Sequence, residues 1–293
     1  MKLLVLGGSG LIGNSLLEMN DNRFEIIATF NKNKIDIPKI SSFQCSLPQD
    51  FDKLEEIIKK EKPEILVNAM GYSNIDFCEL YKEKSHLLHV KISEKISDIA
   101  LKSNTRIVFL SSDYVFDGLK GNYTERDAPN PVNYYGQTKF EAEKIVLKNK
   151  NNVVLRTSVI YDLDVRVRFF NYVVENLKNN KKIKVTNDIF NSVTLIDSLI
   201  YSVFSIIEKD KTGIFHTVDS TCVNRFDFSK CIAKIFNFDE KLIQETSIND
   251  MNVVAKRPQN ACLDNSKAKK ELDVKFRTLE EGIKHILTKS NQK

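Results

Sequence analysis

Short apolar runs alternate with stretches of helical spacing through the first half of the chain. Residues 2–7 form an apolar run that ends in glycine, which predicts a buried strand, and residues 11–19 have the spacing of an amphipathic helix. The alternation continues with predicted strands at 25–30, 64–69, 105–110 and 152–156 and predicted helices at 51–60, 85–103 and 134–147. Because the strands are apolar throughout, both faces of their sheet should be covered. This pattern predicts an α/β fold with a doubly wound parallel sheet of the Rossmann type.

After residue 160 the strict alternation ends and helices predominate. Helical spacing is found at 165–179, 194–208, 225–236 and 277–288, with short strands near 182–185 and 213–217. We predict that residues 1–160 form a dinucleotide-binding Rossmann domain, to which 185–217 returns. Residues 161–293 should form mainly a smaller C-terminal substrate-binding subdomain. We expect this part to fold onto the carboxyl ends of the strands, where doubly wound sheets bind their ligands.

Composition and charge narrow the class of protein. The chain has 293 residues, of which 42% are hydrophobic and 28% charged, so it can bury an ordinary globular core. Its net charge is +5, the two signs are mixed, and no basic stripe with interleaved aromatic residues appears, which argues against a nucleic-acid partner. No apolar run approaches the length of a membrane span, and the glycines from Gly7 onward interrupt the first apolar run too early for a signal peptide. We therefore expect a cytoplasmic protein with no membrane partner.

The cysteines and histidines give no sign of a structural framework or a metal site. There are five cysteines, an odd number, and no CxxC pair is present. The cysteines are Cys45, Cys78, Cys222, Cys231 and Cys262. This usage argues against both a disulfide framework and a zinc site, and it fits a reducing cytosol. The four histidines are scattered without ligand spacing, so we predict no metal ligands.

A glycine-rich turn joins the first predicted strand to the first predicted helix. Gly7, Gly10 and Gly13 are spaced three apart in the segment GGSGLIG. In such a turn the first glycine permits the tight bend, the second allows close approach of a pyrophosphate, and the third lets the helix pack on the strand. The helix N-terminus then offers free N–H groups to the phosphates. The strand, turn and helix context predicts a dinucleotide-binding site.

The end of the second predicted strand bears on the choice of dinucleotide. An acidic residue at this place would hydrogen-bond the ribose 2′-hydroxyl of NAD. The chain instead carries Asn31, Lys32, Asn33 and Lys34, with no carboxylate and two positive charges. This segment, with Asn31 and Lys32 as candidate cofactor ligands, favours NADP(H) over NAD(H).

Three side chains could carry acid–base chemistry beside that dinucleotide. Tyr135 and Lys139 lie four residues apart on a predicted helix, so their side chains share one face. A nearby ammonium lowers the pKa of a phenol and enables it to exchange a proton near neutral pH. Ser112 follows the strand 105–110, where a hydroxyl could hydrogen-bond a substrate carbonyl. The order of these elements predicts a catalytic Ser, Tyr and Lys set.

Taken together, these segments resemble a known family. The carrying segments are GGSGLIG (7–13), VNAMGYSNIDFCE (67–79), SSDYVFDG (111–118), NPVNYYGQTKFEAE (130–143), LRTSVIY (155–161) and RPQNACLD (257–264). They span nearly the whole chain, and they resemble the extended short-chain dehydrogenases/reductases, within these the dTDP-4-dehydrorhamnose reductase family. Three places depart from that pattern. Ser46 stands where many relatives carry an Asp facing adenine, His89 stands where many carry Asn, and residues 192–194 read SVT where the family usually has Ala-Pro-Thr. We expect His89 to pack against its neighbours.

The resemblance implies a role for each matching position. Ser112 would polarise a keto group, Tyr135 would give the proton, and Lys139 would hold the nicotinamide ribose and tune Tyr135. The implied cofactor-binding residues are Gly7, Gly10, Leu11, Ile12, Gly13, Asn31, Lys32, Asn68, Ala69, Met70, Tyr135 and Lys139. The implied substrate-binding residues are Ser112, Asp113, Tyr114, Val115 and Arg257, of which the arginine suits a diphosphate.

The function implied is NAD(P)H-dependent reduction of a nucleotide-linked 4-keto-6-deoxy sugar, a step of deoxysugar and polysaccharide precursor synthesis. One alternative is a nucleotide-sugar epimerase or dehydratase on the same scaffold, which would keep NAD bound. The other is a non-catalytic regulatory subunit resembling that of methionine adenosyltransferase. The partner expected in the first two cases is a nucleotide sugar, and homodimers, which are common in the family, remain an option.

Overall fold

The computed structural model describes residues 1–290, and its main element is a seven-stranded parallel sheet flanked by helices. The strands are β1 (Lys2–Leu6), β2 (Glu25–Phe30), β3 (Ser41–Gln44), β4 (Ile65–Asn68), β5 (Arg106–Ser112), β6 (Val153–Thr157), β7 (Ile160–Tyr161), β8 (Ile183–Thr186), β9 (Phe190–Ser192), β10 (Thr194–Leu195), β11 (Gly213–His216), β12 (Cys222–Asn224) and β13 (Ile243–Thr246). The helices are α1 (Leu11–Glu18), α2 (Phe51–Glu61), α3 (Ile75–Leu80), α4 (Lys82–His86), α5 (Ile92–Lys102), α6 (Tyr134–Val146), α7 (Arg168–Lys178), α8 (Ile196–Glu208), α9 (Arg225–Phe236), α10 (Ser266–Glu271) and α11 (Leu279–Ser290). A π-helical segment, Leu87–Lys91, joins α4 to α5.

The order of strands in the sheet is that of a doubly wound fold. It runs β11-β6-β5-β4-β1-β2-β3, and β1 pairs in parallel with β4 on one side and β2 on the other. Leu3 pairs with Ile65 and with Ile26, and Leu3–Leu6 have no exposed surface because both faces are covered. The carboxyl ends of parallel strands lie at one edge of the sheet, so the loops that follow β1, β4 and β5 meet there.

The first of two compact units contains most of this sheet. It comprises Met1–Ser112, Tyr134–Leu155 and Ile206–Phe215. Side chains from α2, α5 and α6 pack with strand residues in one hydrophobic core. The side chain of Asn152 fixes α6 beside β5, since its Oδ1 accepts from the Ile107 N–H at 2.8 Å and its Nδ2 donates to the Val146 carbonyl at 2.8 Å.

The second compact unit is built from helices and three small sheets. It comprises Asp113–Asn133, Arg156–Ser205 and the residues from His216 onward. The small sheets pair β7 with β10, β9 with β12 and β8 with β13. Tyr161 packs with Phe228 at a ring separation of 5.6 Å, and Gly282 of α11 lies so close to this tyrosine that a Cβ there would be 1.9 Å from the hydroxyl.

A disulfide joins Cys222 to Cys262 in the second unit, so the expectation from the cysteine count was wrong for this pair. The two residues are 40 positions apart, and their Cα atoms lie 5.6 Å from each other. They meet because β9 holds both segments: Cys222 pairs with Ser192 across β12 and β9, while Asn260 forms a bridge with Phe190. Cys45, Cys78 and Cys231 are free.

The predicted fold class is confirmed, and the predicted elements of the first half lie within a few residues of those observed. The prediction missed β3 and most of the short strands of the second unit, whose two to four residues carry too little periodicity to be recognised. The helix predicted at 165–179 is shorter, beginning at Arg168. Within residues 1–290, no helix combines the length and apolar character that a membrane crossing requires. The assignment of dinucleotide and substrate domains stays a prediction.

Candidate active site

The glycine turn after β1 has the conformation that its spacing predicts. Gly7 has a φ of +80°, which favours glycine, and the Gly10 N–H donates to the Gly7 carbonyl at 3.0 Å. A Cβ on Gly13 would lie 2.3 Å from the same carbonyl oxygen, so only glycine lets α1 pack this closely. A Cβ on Gly10 would meet only that oxygen, at 3.3 Å, and Gly10 is exposed. The surface above Gly10 is therefore open.

The residues around this turn fit the pyrophosphate of a dinucleotide. The first helical hydrogen bond runs from Asn14 N–H to the Gly10 carbonyl, so the N–H groups of Leu11, Ile12 and Gly13 have no acceptor within the helix. A helix N-terminus with unbonded N–H groups beside a surface without side chains is an anion-binding arrangement.

The segment that follows β4 lies against the glycine turn. The Ala69 N–H donates to the Leu6 carbonyl at 3.1 Å, and a Cβ on Gly7 would be 3.0 Å from Cγ of Met70. Asn68 is buried, and its Oδ1 accepts from the Met70 N–H at 3.2 Å, which fixes the bend of the chain. The structure thus brings all three residues of this segment beside the turn.

The loop after β2 contains the residues that bear on cofactor choice. Asn31 Oδ1 accepts from Ser46 Oγ at 2.8 Å, and its carbonyl accepts from Gln44 Nε2 at 3.0 Å. Lys32 and Lys34 are exposed. Ser46 therefore touches Asn31 directly, and the polar groups of this loop include no carboxylate between Phe30 and Lys34.

Lys139 is a buried cation at the carboxyl end of β5. Its Nζ donates to the Leu110 carbonyl at 2.6 Å and lies 4.4 Å from the centre of the Phe109 ring. Burial lowers the pKa of Lys139 to about 8, although the charges of Glu143 and Cys78 act in the opposite direction. An ammonium held in this way near neutral pH can act on an adjacent phenol.

Tyr135 precedes Lys139 by one turn of α6, and it is half-buried. The start of α6 is fixed by Glu79, which accepts from the Tyr134 N–H at 2.9 Å. Burial acts to raise the pKa of Glu79, but this hydrogen bond and the ion pair with Lys82 outweigh it and hold the pKa below its ordinary value. Ser112, the last residue of β5, is 6% exposed and lies two residues after Leu110, the partner of Lys139. The helix and the strand end therefore bring the predicted set to one edge of the sheet.

His89 lies in the π-helical segment and is 1% exposed. Its Nε2 accepts from the Tyr72 N–H at 3.0 Å, so the proton is on Nδ1, which lies 2.9 Å from Thr138 Oγ1. Thr138 in turn donates to the Tyr135 carbonyl at 2.9 Å, and the His89 ring stands edge-on to the Tyr135 ring at 5.7 Å. Burial, together with the charge of Lys139, lowers the pKa of His89 to about 3. This neutral histidine connects the loop after β4 to the turn of α6 between Tyr135 and Lys139.

The predicted substrate-binding residues after Ser112 belong to the second unit. Asp113 is 2% exposed, and its Oδ2 accepts from Ser158 Oγ at 2.6 Å and Asn191 Nδ2 at 2.8 Å. Val115 is fully buried, whereas Tyr114 is partly exposed. Arg257 is also partly exposed, and its Nη1 donates to the Ala255 carbonyl at 2.7 Å. Of these side chains, those of Tyr114 and Arg257 are the ones with accessible surface.

The sequence pattern did not single out Glu79, which fixes the start of α6, or Arg225 of the second unit. Glu79 lies inside the segment 67–79, and its sequence neighbours do not show that its carboxylate bonds to the start of a helix 55 residues away. Arg225 begins α9 in the second unit, and its neighbours Tyr114 and Asp113 are far from it in sequence. In residues 1–290, no cluster of three or more His, Cys, Asp or Glu side chains is placed to hold a metal ion.

The sheet, the glycine turn and the Tyr135 and Lys139 helix define an extended short-chain dehydrogenase/reductase, an NAD(P)-dependent oxidoreductase. The family model described as RmlD substrate binding domain matches residues 1–292, and the chain belongs to that family.

Individual relatives cover nearly the whole chain. A dTDP-4-dehydrorhamnose reductase from Aggregatibacter actinomycetemcomitans is 28% identical over 97% of this chain and 98% of its own length. The methionine adenosyltransferase 2 subunit beta of Bos taurus is 27% identical over 91% of this chain and 81% of its own. A crystal structure of a hypothetical dTDP-4-dehydrorhamnose reductase from Sulfolobus tokodaii has a TM-score of 0.86 and 33% identity, and the match covers 96% of this chain and 99% of that one. The family predicted from the sequence is thereby confirmed.

Proposed function

We propose that this protein reduces the 4-keto group of a nucleotide-linked 6-deoxy sugar with NAD(P)H, in the synthesis of a deoxysugar precursor of polysaccharides. The observation that carries this proposal is the buried Lys139, fixed at the end of β5 one helical turn from Tyr135. Burying an ammonium destabilises the folded protein, so a buried lysine at this place indicates a function. Here the ammonium lies where it can lower the pKa of the Tyr135 phenol.

The first unit has the residues that would hold the cofactor. The N–H groups at the start of α1 would bind the pyrophosphate, and Asn68, Ala69 and Met70 would line the cofactor. A nicotinamide cofactor is supported by the family. The exposed Lys32 and Lys34 and the absence of a carboxylate after β2 favour NADP(H), because a 2′-phosphate needs positive charge and no competing anion.

The chain's own residues would manage the proton and the developing charge. When bound, the reduced nicotinamide supplies the hydride. Ser112 would donate a hydrogen bond to the keto oxygen, and Tyr135 would transfer its phenolic proton to that oxygen as negative charge develops there. Lys139 would stabilise the resulting phenolate, and its ammonium is held ready by the Leu110 carbonyl. The substrate would meet Tyr114 and Arg257, the exposed members of the predicted substrate set.

The test is the oxidation of NADPH and of NADH, followed at 340 nm, with dTDP-, GDP- and UDP-linked 4-keto-6-deoxy sugars. We expect one nucleotide series to be reduced, with a higher kcat/KM for NADPH. Net oxidation of cofactor by none of these sugars, with tightly held NAD found after purification, would instead identify an epimerase or dehydratase.

One relative favours a second candidate function. The methionine adenosyltransferase subunit beta belongs to a complex by its name, and its similarity to this chain covers 91% of the residues here. A regulatory subunit would have no need of a buried lysine beside a tyrosine, so the geometry of Lys139 supports the reductase. Stable capture of a catalytic partner subunit, together with no cofactor oxidation, would reverse this preference.

Two further parts of the proposal concern the setting of the reaction. We propose that it occurs in the cytoplasm, where NADPH is available, and that the second unit provides most of the contacts to the substrate. A homodimer is one option for the assembly, and sedimentation at equilibrium distinguishes it from a monomer.

A further inference from the structure

Arg225 is an arginine at the start of a helix with no assigned role. It is the first residue of α9, directly after Asn224, whose side chain caps the helix by accepting from the Asp227 N–H. The capping bond fixes the first turn of α9, and therefore also the position of the Arg225 backbone from which the side chain extends. Asn224 pairs with Phe190, the first residue of β9.

The guanidinium of Arg225 is partly buried and has no hydrogen-bonding partner. It lies 4.7 Å from the centre of the Phe169 ring, and burial lowers the pKa of Arg225. Across residues 1–290, no hydrogen bond or ion pair reaches this group. Its electrostatic neighbours are Tyr114 and Asp113, and the Asp113 carboxylate is already bonded to other side chains. The N–H donors of Arg225 are thus available to a ligand.

An arrangement of this kind implies a ligand. The contact with the Phe169 ring fixes the guanidinium, while its partial exposure leaves N–H groups that a ligand can reach. The planar fork of N–H groups matches phosphate oxygens, to which arginine binds in a bidentate manner. A phosphate group is therefore the natural partner for Arg225.

A second arginine lies at the same end of β9. The Phe190 N–H donates to the Gln259 carbonyl at 2.8 Å, and Phe190 forms a parallel bridge with Asn260. Arg257, three residues earlier, therefore lies beside the chain that leads into β9. Because β12 runs antiparallel to β9, Arg225 also lies just beyond the first residue of β9, on its other side. The disulfide between Cys222 and Cys262, whose Cα atoms are 5.6 Å apart, joins the same two flanking chains. The long side chains of Arg225 and Arg257 can therefore reach one ligand.

We propose that Arg225 and Arg257 together bind the diphosphate of the substrate, with Arg225 as a second, independent phosphate ligand beside Tyr114. This inference rests on the proposed function, because it assigns the diphosphate of the nucleotide sugar to these two side chains. It makes Arg225 a specificity-determining residue that selects nucleoside diphosphates over monophosphates.

The experiment measures ligand binding and needs no turnover. The dissociation constants of dTDP, UDP, GDP and inorganic pyrophosphate are determined by calorimetry for the wild type, Arg225→Gln and Arg225→Lys. Loss of a charged hydrogen-bonding group should weaken the tightest nucleoside diphosphate about 10- to 100-fold in Arg225→Gln, while Arg225→Lys recovers part of the affinity. The affinity for the corresponding nucleoside without phosphates and for NADPH should not change.

A matched control is available on the same helix. Lys230 also stands over an aromatic ring, with its Nζ 4.9 Å from the centre of Phe226, so Lys230→Gln removes one positive charge and one cation–π contact from α9. This variant should bind the diphosphate as the wild type does. Equal affinity of Arg225→Gln and wild type, an equal loss in Lys230→Gln, or no binding of any of the four probes to the wild type overturns the proposal.

Measuring turnover distinguishes a failure of the Arg225 proposal from a failure of the proposed function. If the wild type binds a nucleoside diphosphate through Arg225 but reduces no keto sugar, the proposed reaction fails and the phosphate site remains. If the wild type reduces a keto sugar and Arg225→Gln does so with an unchanged KM, the role of Arg225 fails and the reaction remains. A thermal melt followed by circular dichroism confirms that each variant is folded.

Discussion

Replacement of Lys139 by Met should make the stability of this protein less dependent on pH above neutrality. Lys139 is 5% exposed, and burial lowers its pKa from the ordinary 10.5 to about 8. Met has a similar length and no charge, so it fills the same space beside Phe109. The substitution therefore isolates the cost of holding an ammonium in this position.

The direction and the size of this pH dependence follow from the pKa values of Lys139 in the folded protein and the unfolded chain. The folded protein binds the proton less tightly than the unfolded chain, so its stability rises as the pH increases from about 8 to 10.5. Below about pH 8 both states carry the proton, and Lys139 makes the stability no further dependent on pH. The difference between these two pKa values corresponds to about 3 kcal/mol. The free energy of unfolding of the wild type, measured against that of Lys139→Met, should thus increase by about 2–3 kcal/mol between pH 7 and pH 10.

The assay is urea unfolding followed by circular dichroism, since the chain contains no tryptophan. It is performed on both proteins at pH 7, 8, 9 and 10 without cofactor, and the difference between the two free energies removes the titration of all other groups. If the free energies of unfolding of the wild type and of Lys139→Met changed equally with pH over this range, the reasoning would be refuted. Such a result would mean that Lys139 has an ordinary pKa in the folded protein.

Three further substitutions test separate contacts. Gly13→Ala places a Cβ 2.3 Å from the Gly7 carbonyl, so NADPH affinity should fall at least tenfold, measured by fluorescence titration; unchanged affinity contradicts the packing role of this glycine. His89→Leu breaks the connection between the loop after β4 and α6, and it should lower kcat about tenfold, whereas His89→Gln, which can accept and donate at the same two places, should recover activity; equal activity of the two variants contradicts this role. Cys222→Ser opens the 40-residue link to Cys262 and should lower the free energy of unfolding by about 2–4 kcal/mol in non-reducing urea titration, with no effect expected under dithiothreitol.

The core of the fold and the main site were predictable because their signals are local. The glycine turn, the strand before it and the helix after it are contiguous, so residues 7–13 predict their own conformation. Tyr135 and Lys139 share one turn of a helix, and their common face follows from helical geometry alone. Apolar runs long enough to span a sheet identified the first strands for the same reason.

Other features depend on distant parts of the chain, and no local pattern encodes them. The disulfide arises because β9 pairs with β12 on one side and bridges to Asn260 on the other. The burial of Asp113 results from Ser158 and Asn191, which are 45 and 78 residues away. Arg225 reaches Phe169 and Tyr114 only through the packing of the second unit.

The role of His89 was predictable only in part. Its departure from the Asn of many relatives was visible in the sequence, and packing was the expected role. The structure adds that both ring nitrogens are bonded and that the helix takes a π-helical turn at this residue, a distortion that is frequent at functional sites. Such a turn has no recognisable sequence signal.

The most direct test of the central claim is the turnover of Tyr135→Phe with NADPH and the keto sugar that the wild type reduces best. The substitution removes only the phenolic hydroxyl, so the account predicts that kcat falls by about 10²–10⁴ while the affinity for NADPH stays within about twofold of the wild type. Wild-type turnover in this variant would show that the proton comes from another group, and the assignment of Tyr135 and Lys139 would be wrong.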